Sequence, residues 1–303
     1  VGFHIPRYAR NFVATVESLR PVDEVVERRV PDELRATGTA LSEPLTPVSM
    51  TCKGRKIQID ASPIGTHAGM IRSIVQQPDK RAQVAQIRRD IPQEKIIVSI
   101  GRVDYAKGTR EMLLAYERLL QRRPELHGKV KLLVTAVAAA DGMRAYKKAQ
   151  QSIEQLVGRI NGHIGTLSWQ PILLSTTPMP FADTLCYYRA ADICWITPLR
   201  DGLNLVAKEF IAAHVNESGV LVLSEFAGAA VELQDAVLVN PYSLVQMDAA
   251  IDRALDMPRE EQRARMQRMD ALMDRYDIGH WTGHVLALFE QLRLQPADNR
   301  AAA

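Results

Sequence analysis

The sequence predicts a doubly wound α/β protein of two units, and three observations carry that prediction. From about residue 95 onward, short β-branched apolar runs alternate with amphipathic helical segments, the pattern of a parallel sheet covered on both faces. The 303 residues exceed one ordinary domain of ~100 to 150 residues. A composition of 47% hydrophobic, 24% charged and 6% aromatic residues belongs to a globular chain and excludes collagen-like, low-complexity and wholly disordered readings.

The elements follow in order. Val1 to Phe3 reads as the end of a buried strand, and Pro6 in a first helical turn precedes Tyr8, Phe12, Val13, Val16 and Leu19 at helical spacing. Thr46 to Ala61 alternates apolar and polar residues around Lys53-Gly54, a hairpin with a tight turn, closed by Pro63-Ile64-Gly65. A charged helix from about Asp79 to Arg89 leads through Pro92 into the buried run Lys95 to Ile100. The unit boundary is placed there, giving 1–93 and 94–276. The second unit reads helix 108–123, strand 129–136, helix 142–158, helix 182–190, strand 192–197, helix 203–215, strands 219–223 and 236–239, and helices 244–256 and 258–275. A last helix, about 278–292, follows Asp277 as its cap and carries Trp281. The tail 295–303 is polar and small enough to be disordered.

Several functions are excluded early. The longest nearly unbroken apolar run, Leu132 to Ala140, is about half of the ~20 residues that cross a bilayer. Pro6, Arg7 and Arg10 interrupt the start where a signal peptide would be apolar. The chain opens at Val1 without a methionine, so a fragment is expected. Cys52, Cys186 and Cys194 are too few and too irregular for a disulfide framework or a zinc site, which suits a reducing, cytoplasmic compartment. A net charge of +3 from 38 basic and 35 acidic residues, mixed along the chain, gives no stripe for nucleic acid. Of seven histidines only His280 and His284 are spaced i, i+4, and no third metal ligand accompanies them.

In an open parallel sheet, ligands sit beyond the carboxyl ends of the strands. The loop after the strand at 95–100, Gly101-Arg102-Val103-Asp104-Tyr105-Ala106-Lys107-Gly108, places a guanidinium fork and a compact ammonium at a helix start, a pairing suited to a diphosphate. The plain alternative is a solvated turn with two surface cations. The loop after the strand at 192–197 carries Asp201-Gly202-Leu203-Asn204-Leu205-Val206, whose backbone N–H groups at a helix start favour an anion or sugar hydroxyls. Glu209, one to two turns in, has the chemistry to accept two vicinal ribose hydroxyls. The plain alternatives are a solvated face for Lys208-Glu209 and a capping turn for Asp201.

The runs GRVDYAKG (101–108), GRINGHIGTLSW (158–169), TPLRDGLNLVAKE (197–209) and VLVLSEFAGAAVEL (220–233) together resemble the trehalose-phosphate synthase family. The resemblance spans Gly2 to about Leu292. GFHIPRY at 2–8, GTALSEP at 38–44 and VDYAKGTREMLLAYERLLQRRPEL at 103–126 are most similar to its glucosylglycerol-phosphate synthase branch. The resemblance implies a GT-B-type glycosyltransferase with two Rossmann-like domains, the N-terminal one only partly present, and a segment 277–294 crossing back to the first domain. It implies retaining transfer of glucose from ADP-glucose to glycerol 3-phosphate, giving glucosylglycerol phosphate, a compatible solute under salt stress. No cofactor, metal, nucleic-acid or membrane partner is implied, and the oligomeric state is open.

By the same resemblance, Arg102 and Lys107 hold the donor diphosphate, Glu209 binds its ribose, and Asp201 with the backbone of Gly202, Leu203, Asn204, Leu205 and Val206 holds the glucosyl and phosphate groups. Arg102, Lys107 and Asp201 are the catalytic expectation. Ala140 falls where trehalose-phosphate synthases carry an arginine for the phosphate of glucose 6-phosphate, which argues for a smaller phosphorylated acceptor. Trehalose 6-phosphate synthesis from UDP- or ADP-glucose and a non-catalytic nucleotide-sugar binder stay open, as does the donor base. The family's glycine-rich loop, acceptor aromatics and a histidine near the reacting carbon precede the position of Val1. The chain as given is therefore expected to be inactive or very weak while still binding the nucleotide sugar.

Overall fold

The computed structural model describes residues 1–137, 144–214 and 218–294. The chain opens with β1 (Gly2–Phe3) and α1 (Pro6–Leu19), whose Pro6 occupies the first turn, where a missing N–H costs no helical bond. β2 (Glu24–Arg29), β3 (Leu45–Cys52) and β4 (Arg55–Gln58) make an antiparallel sheet, and β5 (Asp60–Ala61) pairs parallel with β1. The β3–β4 hairpin turns on Lys53 and Gly54, at φ 53° and 72°, as a two-residue turn of positive φ requires. Ala9, Val13, Met50 and Ile59 close a small core beneath α1. β1 differs from the expected buried strand: it bonds only to β5, and Val1 is 60% exposed. β2 was not foreseen, because Val25 and Val26 stand among four charged residues, the composition of a solvated edge strand.

Two helices, α2 (Ala68–Gln76) and α3 (Pro78–Asp90), then lead into the large sheet. Its elements are β6 (Lys95–Arg102), α4 (Thr109–Arg122), β7 (Val130–Val137), α5 (Arg144–Ile164), β8 (Ile172–Ser175), α6 (Phe181–Ala190), β9 (Ile193–Ile196), α7 (Leu205–Ala213), β10 (Val220–Ser224), β11 (Val237–Val239), α8 (Leu244–Asp256), α9 (Arg259–Arg275) and α10 (Ile278–Leu294). All six strands are parallel, in the order β8-β7-β6-β9-β10-β11. The order reverses between β6 and β9, which makes that junction the topological switch point.

Alternation along β6 feeds two cores. Ile96 and Val98 pack with α6, α7 and α9 residues such as Leu185, Phe210 and Met269, whereas Ile97 packs on the other face with Leu113, Ile160 and Ile251 of α4, α5 and α8. Ile71, Val75 and Ile87 of α2 and α3 join the first of these cores. Both helices thus pack with the large sheet, although the sequence reading put 1–93 in the first unit. Their apolar stripe finds its partner on α6 and α7, across a boundary that linear order does not show. α5 runs past the expected end at 158, because Ile160 is buried and the Asn161 side chain exchanges two hydrogen bonds with the Ile172 backbone, at 2.9 and 3.0 Å.

α10 starts on Asp277, whose Oδ1 accepts from His280 N–H at 2.7 Å, and it lies against the small unit, with His284 Nε2 2.9 Å from Asp60 Oδ1. Ala140 and the tail 295–303 lie outside the described residues. Among the described residues no helix is long and apolar enough to cross a membrane, and all three cysteines are free.

Because Ile97 is fully buried in the centre of the sheet, Ile97→Ala is expected to lower the unfolding free energy by about 2–5 kcal/mol, read from urea unfolding. A loss below about 1 kcal/mol would mean that the second core tolerates a cavity at its middle strand.

Candidate functional site

β6 and β9 hold register only at Ile97–Ile193 and Val98–Cys194; beyond them β6 continues beside β7 as far as Arg102–Val137. The strands therefore splay at their carboxyl ends. A cavity of about 230 Å³ opens there, lined by Arg102, Lys107, Thr135, Thr197, Asn204 and Val206 among others.

Three loops are stitched into its rim by backbone contacts. Leu199 N–H donates to Ala106 O at 2.8 Å, joining the loops after β6 and β9. Gly108 sits at φ 65°, and a Cβ on it would collide with the Thr197 carbonyl, so only glycine fits both the turn and the approach. Gly228 N–H and Ala229 N–H donate to Asp201 O and Leu203 O at 3.1 and 2.6 Å, and Asp201 N–H donates to Phe226 O at 3.2 Å, which adds the loop after β10.

Within this frame Lys107 Nζ lies 2.7 Å from Asp201 Oδ2, and Asn204 Nδ2 donates to the same oxygen at 2.9 Å. Arg102 is exposed at the end of β6, and among the described residues no carboxylate lies within ion-pair distance of it. Asn204 has a role that residue type alone left unassigned. At φ 82° it is the N-cap of α7, its Oδ1 accepting from Ala207 N–H at 3.1 Å, so the helix begins at Leu205 rather than 203. The Leu205 and Val206 N–H groups belong to the first turn and have no partner within the helix. Gly202 is exposed and Leu203 is buried.

The structure thus joins Lys107 and Asn204 through Asp201, and Arg102, Lys107 and Asn204 line one cavity. Glu209 stands apart from them, half-buried just past the first turn of α7 and near Tyr188 and Cys194, whose ionisation burial opposes first and the Glu209 charge further. Burial pushes its own carboxyl above the usual range.

Lys208 is the larger correction. It is not on a solvated face: it is 1% exposed, its Nζ lies 2.6 Å from Glu232 Oε2, and it donates to Ile64 O at 2.9 Å. The signal lay in Leu205 to Ala213, which is apolar except for Lys208 and Glu209 and so has no polar face to keep Lys208 in water. Tyr8 was also missed; its hydroxyl donates to Asp201 O at 3.1 Å from the opposite unit. Burial raises that phenol, Arg200 opposing and Asp201 adding to the shift.

An open parallel sheet with cations and a free helix start at its switch point, facing a second, smaller unit, is the architecture of a GT-B-type glycosyltransferase. The sequence profile described as Glycosyltransferase family 20 matches residues 1–291, and the chain belongs to that family. It is 52% identical over 286 residues to glucosylglycerol-phosphate synthase from Synechocystis sp., an alignment covering 94% of this chain and 57% of that protein. It is 32% identical over 281 residues to the UDP-forming alpha,alpha-trehalose-phosphate synthase of Candida albicans, covering 93% and 55%. A solved structure from E. coli, described as trehalose-6-phosphate bound with UDP-2-fluoro glucose, superposes with a TM-score of 0.84 at 33% identity, covering 96% of this chain and 60% of that one. The chain spans little more than half the length of the curated relatives it matches.

The Glu209 shift has a signed consequence. Its carboxyl holds a proton to higher pH in the folded chain than in the unfolded one, so its contribution is fully present below the unfolded value and is lost as pH rises through the folded one. Glu209→Gln is expected to raise the melting temperature near pH ~7 and to change it little near pH ~4, checked by thermal melts at both. A variant that melts below its parent near pH ~7 would contradict the assignment of burial as the cause.

Proposed function

We propose that this chain is the nucleotide-sugar-binding part of a retaining glucosyltransferase that moves glucose from ADP-glucose to glycerol 3-phosphate, giving glucosylglycerol phosphate. The observation that carries the reading is the set Arg102, Lys107, Asp201 and the open start of α7 around one switch-point cavity. Identity above 50% to glucosylglycerol-phosphate synthases supports the choice of acceptor.

In this reading the donor diphosphate lies against Arg102, Lys107 and the N–H groups of Leu205 and Val206, and competes with Asp201 for the Lys107 ammonium. Asp201 and the backbone from Gly202 to Val206 orient the glucosyl group, and Glu209 receives the ribose hydroxyls. The bond from the anomeric carbon to the diphosphate breaks, and the acceptor hydroxyl attacks from the same face. Its proton passes to the departing diphosphate, so the configuration is retained without an enzyme nucleophile. Retaining glycosidases instead use two carboxyl groups ~5 Å apart. Charge growing on the leaving phosphate is met by Arg102 and Lys107, an effect worth about 3–4 kcal/mol per donor by analogy with oxyanion holes.

The second reading, synthesis of trehalose 6-phosphate from glucose 6-phosphate, draws on identities of 32–40% to trehalose-phosphate synthases. Protein from the complete gene, given ADP- or UDP-glucose with either acceptor and analysed by mass spectrometry, separates the two. Glucosylglycerol phosphate is expected. Trehalose phosphate would select the second reading, and donor binding without transfer would leave a nucleotide-sugar binder. In the active protein, Arg102→Ala and Lys107→Ala are each expected to lower kcat by about 10²- to 10³-fold, and chelation to leave it unchanged. Near-normal turnover in both variants would remove them from the mechanism.

A further inference from the structure

The chain passes between the small unit and the large one twice, at 62–67 and at 276–278. The two crossings touch at Gly65, where a Cβ would overlap the Asp277 carbonyl group, and Ile278 N–H points to Thr66 O at 3.4 Å. The two backbones meet here through one glycine, while the small unit also rests on the large one where Ile5, Ala36 and Leu41 pack against Val231. A third element is fastened to the first crossing. Lys208 of α7 reaches out of its own unit to donate to Ile64 O at 2.9 Å, while its charge is balanced by Glu232 at 2.6 Å. Both side chains are almost fully buried, at 1% and 3% exposure.

Stability alone does not explain this arrangement. A buried ion pair gains little net free energy over well-packed apolar residues of similar volume, because desolvating both charges offsets their attraction. What apolar residues could not reproduce is the directed bond to the Ile64 carbonyl. That bond ties a crossing segment to α7, which Asn204 caps and which carries Glu209. The Tyr8 hydroxyl on Asp201 O is a second link from the small unit to the same loop.

We propose that Lys208 is a positioning residue: its ammonium couples the 62–66 crossing to α7, so that rotation of the small unit about Gly65 and adjustment of the 201–206 loop are one motion. This rests on the reading of 201–209 as the donor site. It is a role in setting geometry, distinct from contact with substrate. Loss of the tether lets the two halves of the site meet out of register, and a displacement of ~1 Å in such a site costs on the order of 10²-fold in rate.

The test uses protein from the complete gene. Lys208→Met alone leaves Glu232 buried without a partner and is expected to unfold at lower temperature. Lys208→Met/Glu232→Leu replaces the pair by apolar groups and is expected to melt within about 4 °C of the parent. If Lys208 positions the site, the double variant binds the nucleoside diphosphate glucose within about threefold of the parent yet turns over about 10- to 100-fold more slowly. Recovery of kcat together with the melting temperature would overturn the proposal, leaving a merely structural pair.

Amide exchange on the unmodified protein supplies an arm that needs no variant. Added UDP- or ADP-glucose is expected to slow exchange at 64–66 and 276–280 together with 202–206. Protection of 202–206 alone would overturn the coupling. No protection anywhere would count against the donor-site reading instead, and the comparison of double variant and parent by exchange at 64–66 then decides Lys208: faster exchange without the tether supports it, unchanged exchange overturns it.

Discussion

The site depends on one geometric constraint, the loss of pairing between β6 and β9 after two residues. A sheet that stayed in register would bury its carboxyl ends against each other and leave no crevice. Here the reversal of winding direction sends α4 and α7 to opposite faces, so the loops that follow β6 and β9 part from one another. The gap is then fixed by backbone rather than by side chains. Leu199 to Ala106, Gly228 to Asp201 and Ala229 to Leu203 are main-chain bonds, and Gly108 and Gly228 admit the approach because they have no Cβ.

Charge is distributed over this frame by burial. Arg102 keeps its solvent and has no acidic partner among the described residues, whereas Lys107 shares Asp201 with Asn204, so one exposed cation and one neutralised cation face the same cavity. Deeper in, Glu209 has its proton affinity raised by burial, and Glu232 likewise, with Lys208 opposing the shift there. An ionised Glu209 therefore carries a desolvation cost that hydroxyl donors would relieve.

The fold was legible to different depths in different places. Strands buried on both faces announced themselves, as Lys95 to Ile100 and 129–136 did, because their apolar runs were nearly unbroken and bounded by turn residues. β2 and β8 did not: one is charged along its exposed side, and the other is four residues long, with the Ile172 backbone bonded to the Asn161 side chain of α5. α2 and α3 lay hidden in another sense. One was unassigned and the other was placed with the wrong unit, since their partners α6 and α7 are more than a hundred residues away.

By itself, the sequence determined what local chemistry and recurring motifs determine. That covers a doubly wound α/β class, the two loops at strand ends, the family those loops resemble, and the residue types suited to a diphosphate and a sugar. Tertiary structure alone decided that Lys208 is buried, that Glu232 and Ile64 are its partners, and that Tyr8 reaches the 201–206 loop from the other unit. The physical reason is separation along the chain. A motif shows which groups an element can offer, but the dielectric and partners that set their charge and direction come from segments 24 to 193 positions distant, brought together only when the sheet closes on its helices.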